Sequence, residues 1–147
     1  MANSFKIQYH NLMSNPQQTK QHCFFTLQNE ELSRLVEKVV AHFSKENFDR
    51  IACIDLLPLA LTSLVSISLK KPFIIIRKET KGYGTNNAIE GYIEDNDTLA
   101  LLTFDFDKET KDIVSMLDSK KFKITTAVTF QKSSLLANLP FNCNYID

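Results

Sequence analysis

The residues with the most chemistry in them form one run, Arg77-Lys78-Glu79-Thr80-Lys81-Gly82-Tyr83-Gly84-Thr85. Arg77, Lys78 and Lys81 supply cations, and the two glycines let the backbone bend close to whatever it wraps. Cations on a flexible loop can enclose an anion such as a phosphate. The same run also reads as a solvated loop whose lysines contact nothing. A second group is Asp105 and Asp107, carboxylates that follow an apolar run. They could hold Mg²⁺, but Asp107 equally suits the N-cap of a following helix. His10, His22 and His42 show no ligand spacing with one another or with Cys23, Cys53 and Cys143. They read as core or surface histidines. Ser133 and Ser134 lack a Ser/His/Asp context and read as a loop or a helix start.

Composition narrows what these groups can serve. The chain has 147 residues, 44% of them hydrophobic, with 17 basic side chains against 17 acidic ones. That length supports one domain with a core of its own. Zero net charge gives no global case for nucleic acid or an anionic membrane. The cysteines are widely spaced, with no Cys-x-x-Cys, and read as reduced residues of a cytoplasmic protein. No apolar run approaches the roughly 20 residues of a membrane span, and the N-terminus lacks the pattern of a signal peptide. All three glycines, Gly82, Gly84 and Gly91, fall within ten residues. Neither a Walker loop nor a Rossmann fingerprint can be built from them.

The elements that must position the run follow from hydrophobic period. Residues 1–29 are polar and irregular, with short strands conceivable at Phe5-Ile7-Tyr9 and Phe24-Phe25-Leu27; residues 30–147 form the single domain. Leu32, Leu35, Val36, Val39, Val40 and Phe43 predict a helix over 30–44, with Asn29 as N-cap. Residues 50–54 are a short apolar run of the kind that makes a buried parallel strand. Residues 59–69 predict a helix opened by Pro58, with Lys70 and Lys71 complementing its C-terminal dipole. Strands are expected at 73–77, 89–93, 99–105, 122–130 and 142–146, and a helix at 109–119. The alternation predicts an α/β fold, a mostly parallel sheet with helices on both faces. Ligands of such sheets sit beyond the C-terminal strand ends, here Asp55, Arg77-Lys78, Asp105-Asp107 and Gln131-Lys132.

In this order, Pro58-Leu59-Ala60, a helix, Lys71-Pro72-Phe73-Ile74-Ile75-Ile76-Arg77-Lys78-Glu79-Thr80-Lys81-Gly82-Tyr83-Gly84-Thr85, Ile89-Glu90-Gly91 and Leu99-Ala100-Leu101-Leu102 resemble the orotate phosphoribosyltransferase family. The resemblance runs over residues 30–130 and is most specific over 71–91. It implies a type I phosphoribosyltransferase-like fold. It implies Mg²⁺-assisted transfer of a ribosyl group from phosphoribosyl pyrophosphate (PRPP) to a pyrimidine, and a homodimer. Arg77 and Lys78 fall on the family's pyrophosphate-binding pair and Lys81 on its mobile catalytic lysine, where cations stabilise the leaving charge. Tyr83 falls where histidine is usual. Asp105 falls on an acid of the ribose-phosphate motif, a metal and catalytic position, and Lys132 on a substrate-contacting arginine.

The departures concentrate at the phosphate. The family follows its acidic pair with a Thr/Gly-rich loop whose amides cradle the 5′-phosphate. Here Phe104 replaces one acid, and Lys108, Glu109, Thr110 and Lys111 replace the small residues. Lys108, Thr110 and Lys111 are what remains to bind a phosphate. Asp107, Glu109 and Asp112 would oppose it, at about 3 kcal/mol for each like-charge contact near 5 Å and an effective dielectric near 20. The apolar Asp55-Leu56-Leu57-Pro58 stands where the family has a glycine-bearing loop. The expectation is a degenerate paralogue with weak or no PRPP-dependent transferase activity, retaining at most phosphate or nucleotide binding. An active enzyme with a rearranged cradle and a non-catalytic dimeric module are the alternatives. The backbone over 104–112 discriminates: a cupped loop favours binding, an early helix start favours lost function.

Overall fold

The computed structural model describes residues 29–78 and 88–146. The edge strands considered within 1–28 and the loop residues Lys81, Gly82, Tyr83 and Gly84 lie outside it. The described chain runs α1 (Asn29–Phe43), β1 (Arg50–Ile54), α2 (Leu59–Leu69), β2 (Phe73–Ile76), β3 (Ile89–Glu90), β4 (Thr98–Thr103), α3 (Lys108–Ser119), β5 (Lys123–Thr129), a 3-10 turn (Ser134–Leu136) and β6 (Asn142–Tyr145).

One six-stranded sheet has the order β3-β2-β1-β4-β5-β6. Every neighbouring pair is parallel except β2 with β3. The predicted α/β architecture is therefore the observed one. β1 has strand neighbours on both edges and helices over both faces, so Ile51, Ala52, Cys53 and Ile54 are all buried. Such a position demands the continuous apolar run that the sequence provides. Alternation along the strands splits the core in two. Ile51, Ala100, Leu102 and Val128 pack with Leu35, Val39 and Phe43 of α1 and Leu61 and Val65 of α2. Ala52, Ile74, Leu99 and Leu101 pack on the opposite face with Ile113 and Leu117 of α3.

Several boundaries differ from expectation for local reasons. Asn29 is the first residue of α1 rather than its cap, a shift of the size that helix ends commonly show. β3 stops at Glu90 because Gly91 follows at φ +111°, where the chain leaves the sheet edge. A Cβ at Gly91 would lie 3.2 Å from Ile74 Cγ2, so both backbone and space call for glycine. The Lys71 backbone amide closes α2 on the Ser66 carbonyl at 3.1 Å, but its side chain turns away, Nζ donating to the Phe48 carbonyl at 2.7 Å. Lys70 closes α2 in the left-handed region, φ 53°. β4 stops at Thr103, so Asp105 and Asp107 lie in the turn beyond it rather than on the strand.

Among the described residues, five non-glycine residues take positive φ: Asp55, Lys70, Asn96, Lys121 and Asn138. With glycine so scarce, asparagine and aspartate fill three of these sites at small cost, whereas the lysine side chain is not built to bond its own backbone there. Lys70→Gly is expected to raise stability by about 0.5–1 kcal/mol. Gly91→Ala is expected to lower it by about 1–3 kcal/mol. Urea midpoints of the two variants check both signs.

Candidate functional site

The sheet order brings the charged strand ends together. The chain runs outward from β1 to β2, then returns to place β4 on β1's other edge. Ligands of α/β sheets bind where the order reverses in this way. Asp55 follows β1 at φ 63°, its backbone amide donating to the Ile76 carbonyl at 2.7 Å. Lys78 follows β2, and Asp105 and Asp107 follow β4. With strands about 4.8 Å apart, the Lys78 side chain spans the end of β1 to reach the far side. Its Nζ donates to Asp105 Oδ1 at 2.9 Å and to Asp107 Oδ2 at 2.8 Å. The lysine side chain is 12% exposed.

β4 ends before Asp105 and Asp107, so the turn beyond it, not the pleat of a strand, sets where the two carboxylates point. The turn that carries them is pinned at several points. Phe104 packs into the core on the α1/α2 side and Phe106 into the core on the α3 side. Thr103 Oγ1 donates to the Asp105 carbonyl at 2.7 Å. Asp107 is the N-cap of α3: its Oδ1 accepts from the Thr110 amide at 2.8 Å and lies 3.0 Å from Thr110 Oγ1. Helix α3 thus begins at Lys108, inside the stretch 104–112 where a phosphate-cradling loop would have to form. Thr110 is buried and faces this cap, whereas Lys108 and Lys111 are exposed on the first turn.

Electrostatics follow from these contacts. Burial works against the charge on Lys78, but hydrogen bonds to Asp107 and Asp105 outweigh it and hold the ammonium above its ordinary pKa. Burial likewise disfavours the Asp107 carboxylate, and bonds from Lys78 and Thr110 overcome it and lower its pKa. The other described cation of the run, Arg77, is paired through Nε with Glu90 Oε1 across β2 and β3. Its backbone amide donates to the Ala88 carbonyl at 2.8 Å. Lys132 lies further along the strand ends, with Nζ 5.3 Å from the Tyr145 ring centroid. Sequence reasoning did not find Glu90, Tyr145 or the convergence on Lys78. Only the Ile-Glu-Gly run pointed toward Glu90. The Lys78 cluster depends on strand order, which local spacing does not encode.

Two carboxylates and one ammonium leave a net charge near −1, not a cationic anion trap. Among the described residues, no group of three or more His, Cys, Asp or Glu side chains could hold a metal ion. Asp107→Ala removes both the helix cap and one partner of Lys78, and is expected to cost about 1–2 kcal/mol. Asp107→Asn keeps a good cap and is expected to cost less. The lowered Asp107 pKa stabilises the fold above the ordinary 3.8 and is lost as pH falls through the folded value. The raised Lys78 pKa stabilises below the ordinary 10.5 and is lost as pH rises through the folded value. Urea titrations from pH 7 down to pH 3 are therefore expected to show a shallower acid loss for Asp107→Asn than for the parent chain.

No known family profile matches the chain. It is 34% identical over 74 residues to the orotate phosphoribosyltransferase of Methanocaldococcus jannaschii, a match covering 50% of this chain and 42% of that protein. The chain spans less than half the length of the curated relatives it matches. Among solved structures, the UMP synthase of Leishmania donovani superposes with TM-score 0.58 and 25% identity, over 78% of this chain and 25% of that one. The adenine phosphoribosyltransferase of Saccharomyces cerevisiae superposes with TM-score 0.65 and 10% identity, over 80% of this chain and 79% of that one. The chain is thus orotate phosphoribosyltransferase-like, with the type I phosphoribosyltransferase fold and half of its sequence similar to an orotate phosphoribosyltransferase.

Proposed function

We propose that this chain is an orotate phosphoribosyltransferase-like protein with little or no PRPP-dependent transferase activity. The observation that carries the reading is the Lys78 ammonium held between Asp105 and Asp107 while Asp107 caps α3. A phosphate entering here would have to displace the Asp107 carboxylate from the helix terminus and from the lysine. It would then remain close to Asp105, Asp107 and Glu109, each contact costing about 3 kcal/mol near 5 Å at an effective dielectric near 20. Exposed Lys108 and Lys111 offset part of this through solvent, where such charges are weak. Backbone amides do the binding in a glycine-rich cradle. Here the Thr110 amide is already taken by Asp107.

The residues do not fit the Mg²⁺ that accompanies PRPP in the resembled family. Asp105 and Asp107 both face an ammonium, which already supplies the cation they would bind. No step of this reading runs through a metal. A homodimer is part of the proposal, and the outer face of α2 supports it. The helix carries no charged residue, and Leu64 and Ile67 are exposed on it, the latter at 76%. An apolar helix face of this kind is ordinarily covered.

Two measurements test the reading. Incubation with orotate, PRPP and Mg²⁺ is expected to give no pyrophosphate release above the uncatalysed background. Turnover that disappears in Lys81→Ala would overturn it. Sedimentation equilibrium is expected to show a dimer for the parent chain and a monomer for Ile67→Glu, with an unchanged circular dichroism spectrum. A monomeric parent chain would remove the dimer from the proposal.

A further inference from the structure

At the other end of the sheet, α3 and the segment 138–141 enclose a groove of about 660 Å³. Most of its lining comes from the later part of α3, the start of β5 and the turn before β6, whereas Lys78 and Asp105 follow β2 and β4; only Lys111, on the first turn of α3, lies toward the Lys78 side. Val114, Phe122, Leu139 and Phe141 form the apolar floor, each half-buried and continuous with the core beneath α3. The rim is Lys111, Lys121 and Lys123 against the single acid Asp118, all exposed.

Both walls are tight turns. Lys121 takes φ 67° where α3 ends, with its amide donating to the Asp118 carbonyl at 2.9 Å and the Phe122 amide to Leu117 at 3.0 Å. This is the helix ending that ordinarily uses glycine. A lysine at that site gives up backbone ease and adds a cation to the rim. Asn138 takes φ 70° on the facing wall. The walls are hydrogen-bonded turns and the floor rests on the core, so the groove is formed before anything enters it.

We propose that this groove docks an acidic peptide segment of a partner protein, with a large apolar side chain on the Phe122–Leu139 floor and carboxylates against the lysine rim. Charge selects this occupant over two others. Residues 1–28 of the chain carry Lys6 and Lys20 and no acid, so the rim repels them. A second copy offering the uncharged face of α2 brings no counter-charge. An acidic segment satisfies both rim and floor, with the rim setting specificity and association rate.

The test uses the full chain and a fluorescein-labelled peptide, Glu-Asp-Phe-Glu-Leu-Asp, followed by anisotropy. A control peptide has lysine at every acidic position. The acidic peptide is expected to bind with an affinity that falls as salt rises. Lys121→Glu/Lys123→Glu, both exposed sites, is expected to weaken binding at least tenfold with an unchanged melting curve. Amide shifts on titration are expected over 111–124 and 138–141. Absent binding, equal binding of the lysine peptide, or unchanged affinity in the double variant would overturn the proposal. So would self-association of the parent chain that the double variant abolishes, since the groove would then belong to a second copy. Transferase activity does not enter any of these readouts.

Discussion

The end of the sheet beyond β2 and β4 is organised by one ammonium group. Lys78 reaches across the end of β1 and holds Asp105 and Asp107 together. Each contact alone is worth little, because a partly buried ion pair gains about as much from Coulomb attraction as it loses in desolvation and side-chain entropy. The pair of contacts matters more than their sum. With both carboxylates removed, a mostly buried ammonium would be left without a partner, and that costs far more than either bond contributes. The same Asp107 carboxylate caps α3. One side chain therefore couples the end of β2 to the turn after β4 and to the start of a helix.

The scarcity of glycine fits this arrangement. A loop that cradles phosphate with its amides needs residues free to take positive φ and small enough for close approach. The turn over 104–110 has neither. It is fixed instead by Phe104 and Phe106, which reach into opposite cores, and by the hydroxyls of Thr103 and Thr110. A turn anchored in this way is shaped by packing, and its polar groups are satisfied from within the chain. The cation pair at the end of β2 is likewise paired within the chain, with Arg77 joined to Glu90 and Lys78 to the two aspartates.

Much of the architecture was legible in the sequence. The apolar run 50–54 and the β-branched run 73–76 could be little else than central parallel strands, and β1 and β2 have that place. The period of Leu35, Val39 and Phe43 fixed the buried face of α1. The site was legible only in part. Asp107 as N-cap follows from an acid placed just before a helix, a local relation that sequence carries. The shared target of Asp105 and Asp107 was not legible. Strand period does not decide it, because β4 ends at Thr103 and both residues lie in the turn beyond, whose path is set by the packing of Phe104 and Phe106. Nor could spacing show that Lys78 and Asp105, two strands apart, are within reach; that distance exists only once β1 lies between β2 and β4.

The central claim is that carboxylates of the chain itself occupy the place where a phosphate would need to be. Calorimetric titration of the full chain with PRPP and Mg²⁺ tests it most directly. The account predicts no heat of binding beyond dilution up to millimolar ligand. A saturable isotherm in the micromolar range, lost in Lys78→Ala, would contradict it.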